Sequence, residues 1–173
     1  MVLSSVEAHR AHAYQAGSLV LFAALATIVA ALGFEHLGGY EPCELCLEQR
    51  WAYYFGIPLL FGGLVLLSSE MPRWAAAIFF VVALGFLANA GLGVYHAGVE
   101  WKFWPGPQTC SSTGALPGNV TDLMAKLDSG RVSRCDDASW RLIGLSFAGW
   151  NVLICLALFG GSLKAASEAA LRD

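Results

Sequence analysis

Four long apolar blocks, separated by polar segments, constrain this chain more than any other feature of its sequence. They run from about residue 16 to 34, 51 to 67, 74 to 94 and 142 to 163. At about 1.5 Å of rise per residue, each is long enough as a helix to cross a hydrocarbon core of about 30 Å. No water reaches the backbone there, so such a block must satisfy its own amides, and a helix does so within one segment. Composition agrees, with 57% hydrophobic and only 13% charged residues, against roughly a quarter charged in soluble domains. The expected fold class is an all-α membrane protein, a four-transmembrane-helix bundle forming a single domain over residues 1–173.

The first block is long for the apolar core of a signal peptide and lacks a small-x-small cleavage site, so it is expected to stay as a span. No targeting tail or lipidation motif is visible. Pro58 falls inside the second block, where neighbouring helices can satisfy the freed carbonyl. Residues 68–73 make a tight polar turn. An even number of spans puts both termini on one side and two loops, 35–50 and 95–141, on the other. Cys43, Cys46, Cys110 and Cys135 all fall in those two loops, while Cys155 lies mid-block.

Charge bias does not orient the chain. Arg10, Arg73, Lys164 and Arg172 share the terminal side, whereas Arg50, Lys102, Lys126, Arg131, Arg134 and Arg141 share the cysteine side. That count leans against a cysteine side facing out of the cytoplasm. Loop cysteines in pairs belong to an oxidising compartment, and this argument carries more weight. The net charge of −3 comes from scattered residues, with no basic run for nucleic acid.

The 95–141 loop is too long for a simple connector. Val120, Leu123, Met124 and Leu127 recur in it at helical spacing, the pattern of a short amphipathic helix on the bilayer surface or packed on the bundle. Trp51, Tyr53, Tyr54, Trp74, Tyr95, Trp101, Trp104 and Trp140 cluster at block ends, as an interfacial aromatic belt would.

Cys43-Glu44-Leu45-Cys46 stands just before the second block. A Cys-x-x-Cys pair closes a small ring suited to electron exchange rather than to stapling. Four loop cysteines allow three pairings, and pairing Cys43 with Cys46 and Cys110 with Cys135 uses the adjacency of the first two. A four-cysteine zinc site would ordinarily take two Cys-x-x-Cys knuckles; Cys110 and Cys135 are far apart, and no metal is expected. Arg50, one helical turn beyond Cys46, can favour a thiolate or an anionic acceptor, or simply snorkel. His96, at the matching end of the third block, can stand across from it as a hydrogen-bond donor or proton carrier. His36, His9 and His12 read as solvated or tail residues. Asn89 and Asn151 read as interhelical hydrogen-bonding groups. Cys155 reads as a small apolar packing residue. Glu41, Glu44 and Glu48 flank the pair and should oppose thiolate formation.

Glu41-Pro42-Cys43-Glu44-Leu45-Cys46, with Glu48-Gln49-Arg50 after it, resembles the first periplasmic loop of the DsbB family of bacterial inner-membrane oxidoreductases. Tyr95-His96-Ala97-Gly98-Val99-Glu100 and the stretch Trp104 to Cys110 resemble the start of that family's second loop. Cys135 and the run from Trp140 to Asn151 resemble its close and fourth helix. The resemblance implies two periplasmic loops, cytoplasmic termini and a place in the bacterial inner membrane. It implies a relay in which Cys110 and Cys135 take electrons from a periplasmic DsbA-like thiol oxidase, with Cys110 attacked by the partner. Cys43 and Cys46 then pass them to a membrane quinone, ubiquinone or menaquinone, held near Arg50 and His96. Membrane lipid is the other expected partner.

Two other classes fit part of the pattern. A vitamin K epoxide reductase-type enzyme also links two cysteine pairs to a quinone, but its Cys-x-x-Cys follows the loop pair, whereas here it comes first. A non-enzymatic four-span scaffold would keep its loop disulfides permanently closed.

Overall fold

The computed structural model describes residues 2–40, 42–106 and 141–171. Four helices carry the fold: α1 (Val2–His36), α2 (Glu44–Ser68), α3 (Pro72–Glu100) and α4 (Phe147–Ala170). They pack in a ring in which α1 touches α2 and α4, α3 touches α2 and α4, and the α3–α4 seam is the most extensive. All four are long and apolar enough to cross a membrane.

The side chains show which solvent the bundle expects. Only 28% to 39% of the most apolar window of each span is buried inside the protein. Phe79, Phe86, Leu60 and Leu67 fill the interior, while Leu19, Phe22, Phe55, Phe61 and Val81 point outward. Apolar side chains in a continuous outer layer cost free energy in water and cost none against lipid tails. The chain is therefore a multi-pass membrane protein.

The helices outrun the apolar blocks at most ends. α1 begins within the polar N-terminal segment, and His9 Nδ1 lies 2.7 Å from Glu168 Oε2 of α4. His9 is thus a tie between helices rather than a tail residue, while His36 is exposed as expected. α2 begins at Glu44 and not at Trp51, so Cys46, Gln49 and Arg50 ride on a helix instead of a loop. α2 continues through Pro58 to Ser68. Glu70, with φ of 60°, turns the chain sharply into α3.

The fourth span starts later than the apolar pattern implied. Arg141–Leu142 and Leu145–Ser146 pair as two short antiparallel strands, β1 and β2, ahead of α4. Ile143 and Gly144 both have positive φ, 55° and 81°, the geometry of a two-residue hairpin turn. Ser146 then caps α4 by accepting from Gly149 N at 3.2 Å. An apolar sequence gave no warning of this hairpin, because the turn depends on Gly144 rather than on hydropathy.

Past the end of α3 the chain folds back on itself. Trp104 Nε1 donates to Tyr95 O at 2.9 Å, and the two rings stack with centroids 6.1 Å apart. Gly98 makes room for this: a Cβ there would stand 2.1 Å from Trp104 Cζ2. The start of the second long loop is thereby pinned to the top of α3. Trp51, Tyr54, Trp74, Tyr95, Trp101 and Trp104 are at least one-third exposed, as a belt requires; Tyr53 is the exception and is buried. The amphipathic pattern at 120–127 and Trp140 lie outside the described residues.

Candidate redox site

The site is built at the start of α2. Cys43 is the N-cap residue, with extended backbone angles and its sulfur accepting from Cys46 N at 3.3 Å. It takes the place usually held by a serine or aspartate oxygen, satisfying one of the free amides of the first turn. That same geometry swings Cys46 round one turn until its sulfur is 2.8 Å from Cys43 Sγ. The two are free thiols, and closing them to the roughly 2.05 Å of a disulfide needs only a small side-chain rotation.

His96 comes to this pair from α3. It is 2% exposed, and its Nε2 stands 3.6 Å from Cys43 Sγ. Glu100, one turn further along α3, places Oε1 3.8 Å from the same nitrogen. Cys43 is held well above the ordinary thiol range, first by its hydrogen bond to the Cys46 sulfur, then by burial, with a smaller push from Glu100. Of the acids that the sequence pattern placed against the thiols, Glu44 and Glu48 are exposed and Glu41 lies outside the described residues; among the described residues, Glu100 is the acid that pushes on Cys43.

Below the thiols runs a ladder of hydrogen bonds that crosses from helix to helix. Tyr53 OH donates to Asn151 Oδ1 at 2.7 Å, and Asn151 Nδ2 donates to Gln49 Oε1 at 2.7 Å. Gln49 Nε2 in turn meets His96 Nδ1 at 2.8 Å. Run in this direction, the ladder puts the imidazole proton on Nε2, facing Cys43. Each amide has a donor end and an acceptor end, so the ladder can also run in reverse. Nδ1–H then donates to Gln49, and Nε2 is left as an acceptor toward the sulfur.

Cys155 sits at the foot of the ladder. It is fully buried, as a packing residue would be. Yet Asn89 Nδ2 donates to its sulfur at 3.2 Å and Tyr53 OH lies 3.4 Å away. Its polar partners were not legible in the sequence. The two asparagines do bond between helices, and Asn151 also lines the cavity described next.

A cavity of about 570 Å³ opens against the thiols, walled by α1, α2 and α4 and closed by His96 and Glu100 of α3. Ala26, Ile28, Ala30, Ala31, Ile154, Phe34, Tyr40 and Phe147 make it mostly apolar. The last three rings pack edge to face, with Phe34 and Phe147 centroids 5.2 Å apart. Cys46, Arg50 and Trp150 also face it. Its size suits one ring-sized ligand. Arg50 reaches the wall but is not a bare charge: its Nη1 donates to Glu35 Oε2 of α1. The pairing fixes the guanidinium against the cavity, which a snorkelling side chain would leave loose.

Of the residues singled out in the sequence, Cys43, Cys46, Arg50 and His96 come together around one cavity. Cys110 and Cys135 lie outside the described residues. Sequence reasoning missed Glu35, Gln49 and Tyr53. Gln49 and Tyr53 stand three and seven residues from Cys46, on the same helical face, so that spacing was the available signal.

A family model for "Disulfide bond formation protein DsbB" matches residues 14–164. The disulfide bond formation protein B of Aromatoleum aromaticum is 30% identical over 148 residues, spanning 81% of this chain and 84% of that protein. Its counterpart in Verminephrobacter eiseniae is 30% identical over 149 residues, 83% of this chain and 79% of the relative. The one from Methylococcus capsulatus is 34% identical over 151 residues, 78% and 82% respectively. No solved structure matches significantly.

Proposed function

The chain belongs to the DsbB family of disulfide bond formation proteins and is a membrane oxidoreductase that makes disulfides; on that premise we propose that a membrane quinone is its electron acceptor and a periplasmic DsbA-like thiol oxidase its donor. The observation that carries the acceptor half is the cavity. A thiol pair, a fixed guanidinium and a buried imidazole all line one mostly apolar space.

That space fits a quinone head in size and chemistry: its walls are apolar, and Arg50 and His96 are there to face carbonyl oxygens. A bound quinone supplies a sink for two electrons and two protons. Cys46, on the cavity wall, hands over electrons as its sulfur becomes half of a disulfide. Cys43 supplies the other sulfur and must lose a proton to do so. His96 Nε2, 3.6 Å away, is positioned to take that proton when the ladder presents it as an acceptor. Arg50 stabilises negative charge that develops in the cavity. The balance is two thiols going to one disulfide, with two electrons and two protons leaving together.

The donor half rests on the resemblance. Cys110 and Cys135 exchange with the partner, and Cys110 is the sulfur attacked. Because exchange proceeds by direct thiolate attack, the second loop must then bring one of these sulfurs to Cys43. The loops face the periplasm, the termini face the cytoplasm, and the membrane is the bacterial inner one. DsbA-type proteins are strong oxidants at about −120 mV, so their re-oxidation requires a sink such as the quinone pool. The test is quinone reduction by the purified protein supplied with a reduced DsbA-like donor. Turnover that vanishes in Cys46→Ala is expected; undiminished turnover in that variant would sink the relay. Cys135→Ala should trap the partner on Cys110, and mass spectrometry finding it on Cys43 would overturn the order of exchange.

A further inference from the structure

The spacing of Cys43, Cys46 and His96 has a use apart from electron transfer. Cys43 Sγ, Cys46 Sγ and one nitrogen of His96 all lie within 4.8 Å of one another. The sulfur-to-nitrogen distance of 3.6 Å is long for a hydrogen bond. It is close to an edge of a metal tetrahedron: ligands at about 2.3 Å for sulfur and about 2.0 Å for nitrogen stand roughly 3.5 Å apart. The two sulfurs, at 2.8 Å, need to part by about 1 Å to span the corresponding sulfur–sulfur edge. That separation calls for a turn of the Cys46 side chain, which already borders the cavity. We infer that the reduced site binds one zinc ion through Cys43, Cys46 and His96, and that zinc so bound arrests the enzyme.

Ligand chemistry favours zinc over harder ions. Two thiolates and an imidazole are the donors zinc and its soft relatives prefer, and magnesium or calcium would take oxygen instead. Charge also balances: two thiolates neutralise the ion at a place where a net charge is costly. The cavity leaves the fourth position open to water or a small ligand. The ladder supplies outer support. With zinc on Nε2 the imidazole proton moves to Nδ1, and the reversed ladder presents the Gln49 carboxamide oxygen to receive it. Binding displaces the thiol protons to solvent and changes no oxidation state. A closed Cys43–Cys46 disulfide offers no thiolate, so the site exists only in the reduced enzyme.

Binding stands independently of the relay proposed above; only the arrest of turnover rests on it. The experiment uses full-length protein in nanodiscs, with Cys110→Ser and Cys135→Ser to remove the loop thiols. Zinc chloride is titrated calorimetrically, and cadmium chloride is added as an optical probe. One ion per chain is expected in the reduced protein, with a sulfur-to-cadmium charge-transfer band, and both should disappear on oxidation with diamide. His96→Ala should weaken zinc by at least about tenfold. The redox comparison needs no variant at this site, so misfolding of His96→Ala cannot decide the matter. No binding by the reduced protein, or binding indifferent to oxidation, would overturn the site. Binding without inhibition of quinone reduction in the protein with its loop cysteines would overturn the arrest alone.

Discussion

Cys46 and Cys155 sit on α2 and α4, diagonal in the ring and about two helical turns apart in depth, since Tyr53, seven residues past Cys46, reaches Cys155, and the bundle treats them in opposite ways. Cys46 has a second sulfur 2.8 Å away and a cavity of about 570 Å³ in front of it. Cys155 is fully enclosed, with an amide, a phenol and packed apolar side chains around its sulfur. Burial alone does not separate them, since Cys43 is also buried. What separates them is a partner sulfur and access for an acceptor. Among the described cysteines, the geometry for thiol exchange is found at the α2 start, and the interior cysteine has been absorbed into the polar ladder.

The largest effect that would sharpen this contrast is at Cys46. Replacing it by alanine should abolish quinone reduction while leaving a folded bundle, measured by turnover beside helical circular dichroism. The cavity's charge comes next. Arg50→Met should cut turnover by roughly a hundredfold to a thousandfold, the scale of losing one electrostatic contact to a developing charge, and should free Glu35 from its partner. Turnover unchanged in that variant would leave the guanidinium with a purely structural role.

Gln49→Leu should come third. It breaks the ladder at both ends and leaves His96 Nδ1 and the Asn151 amide unsatisfied, at about 1–3 kcal/mol for each buried group. Its pH profile of turnover should shift, because the Nε2 state of His96 is no longer tied to the amide chain. A stability loss with an unmoved profile would reduce the ladder to packing. Gly98→Ala should destabilise by about 1–3 kcal/mol through overpacking against Trp104, and limited proteolysis should then cut more readily after α3. Smallest of all is Cys155→Ala. It should cost about 0.6–2 kcal/mol of stability and leave electron transfer intact; a dead enzyme would erase the distinction between the two cysteines.

The sequence carried the spans well, because a bilayer imposes one length and one kind of side chain on every crossing helix. It carried the site in part. Cys43, Cys46 and Arg50 were legible from spacing along one helix, and His96 from its position at a block end. Glu35 was not, since an acid at a helix end looks solvated until its arginine arrives from another helix. Tyr53 read as an interfacial residue and Gln49 only as part of a motif; their burial depends on which face of α2 turns inward, and an apolar helix of this kind does not announce its face. Cys155 misled for a related reason, as hydropathy counts a buried thiol as apolar whatever it is bonded to. The hairpin before α4 was hidden inside an apolar block because two positive backbone angles at Ile143 and Gly144 decide it.

The most direct test of the contrast is thiol alkylation in native membranes, read residue by residue by mass spectrometry, with and without a reducible quinone. Cys43 and Cys46 should be alkylated when quinone is withheld and protected when it is supplied, while Cys155 stays unmodified until the protein is unfolded. A Cys155 signal that follows quinone, or a Cys43–Cys46 pair indifferent to it, would contradict the account.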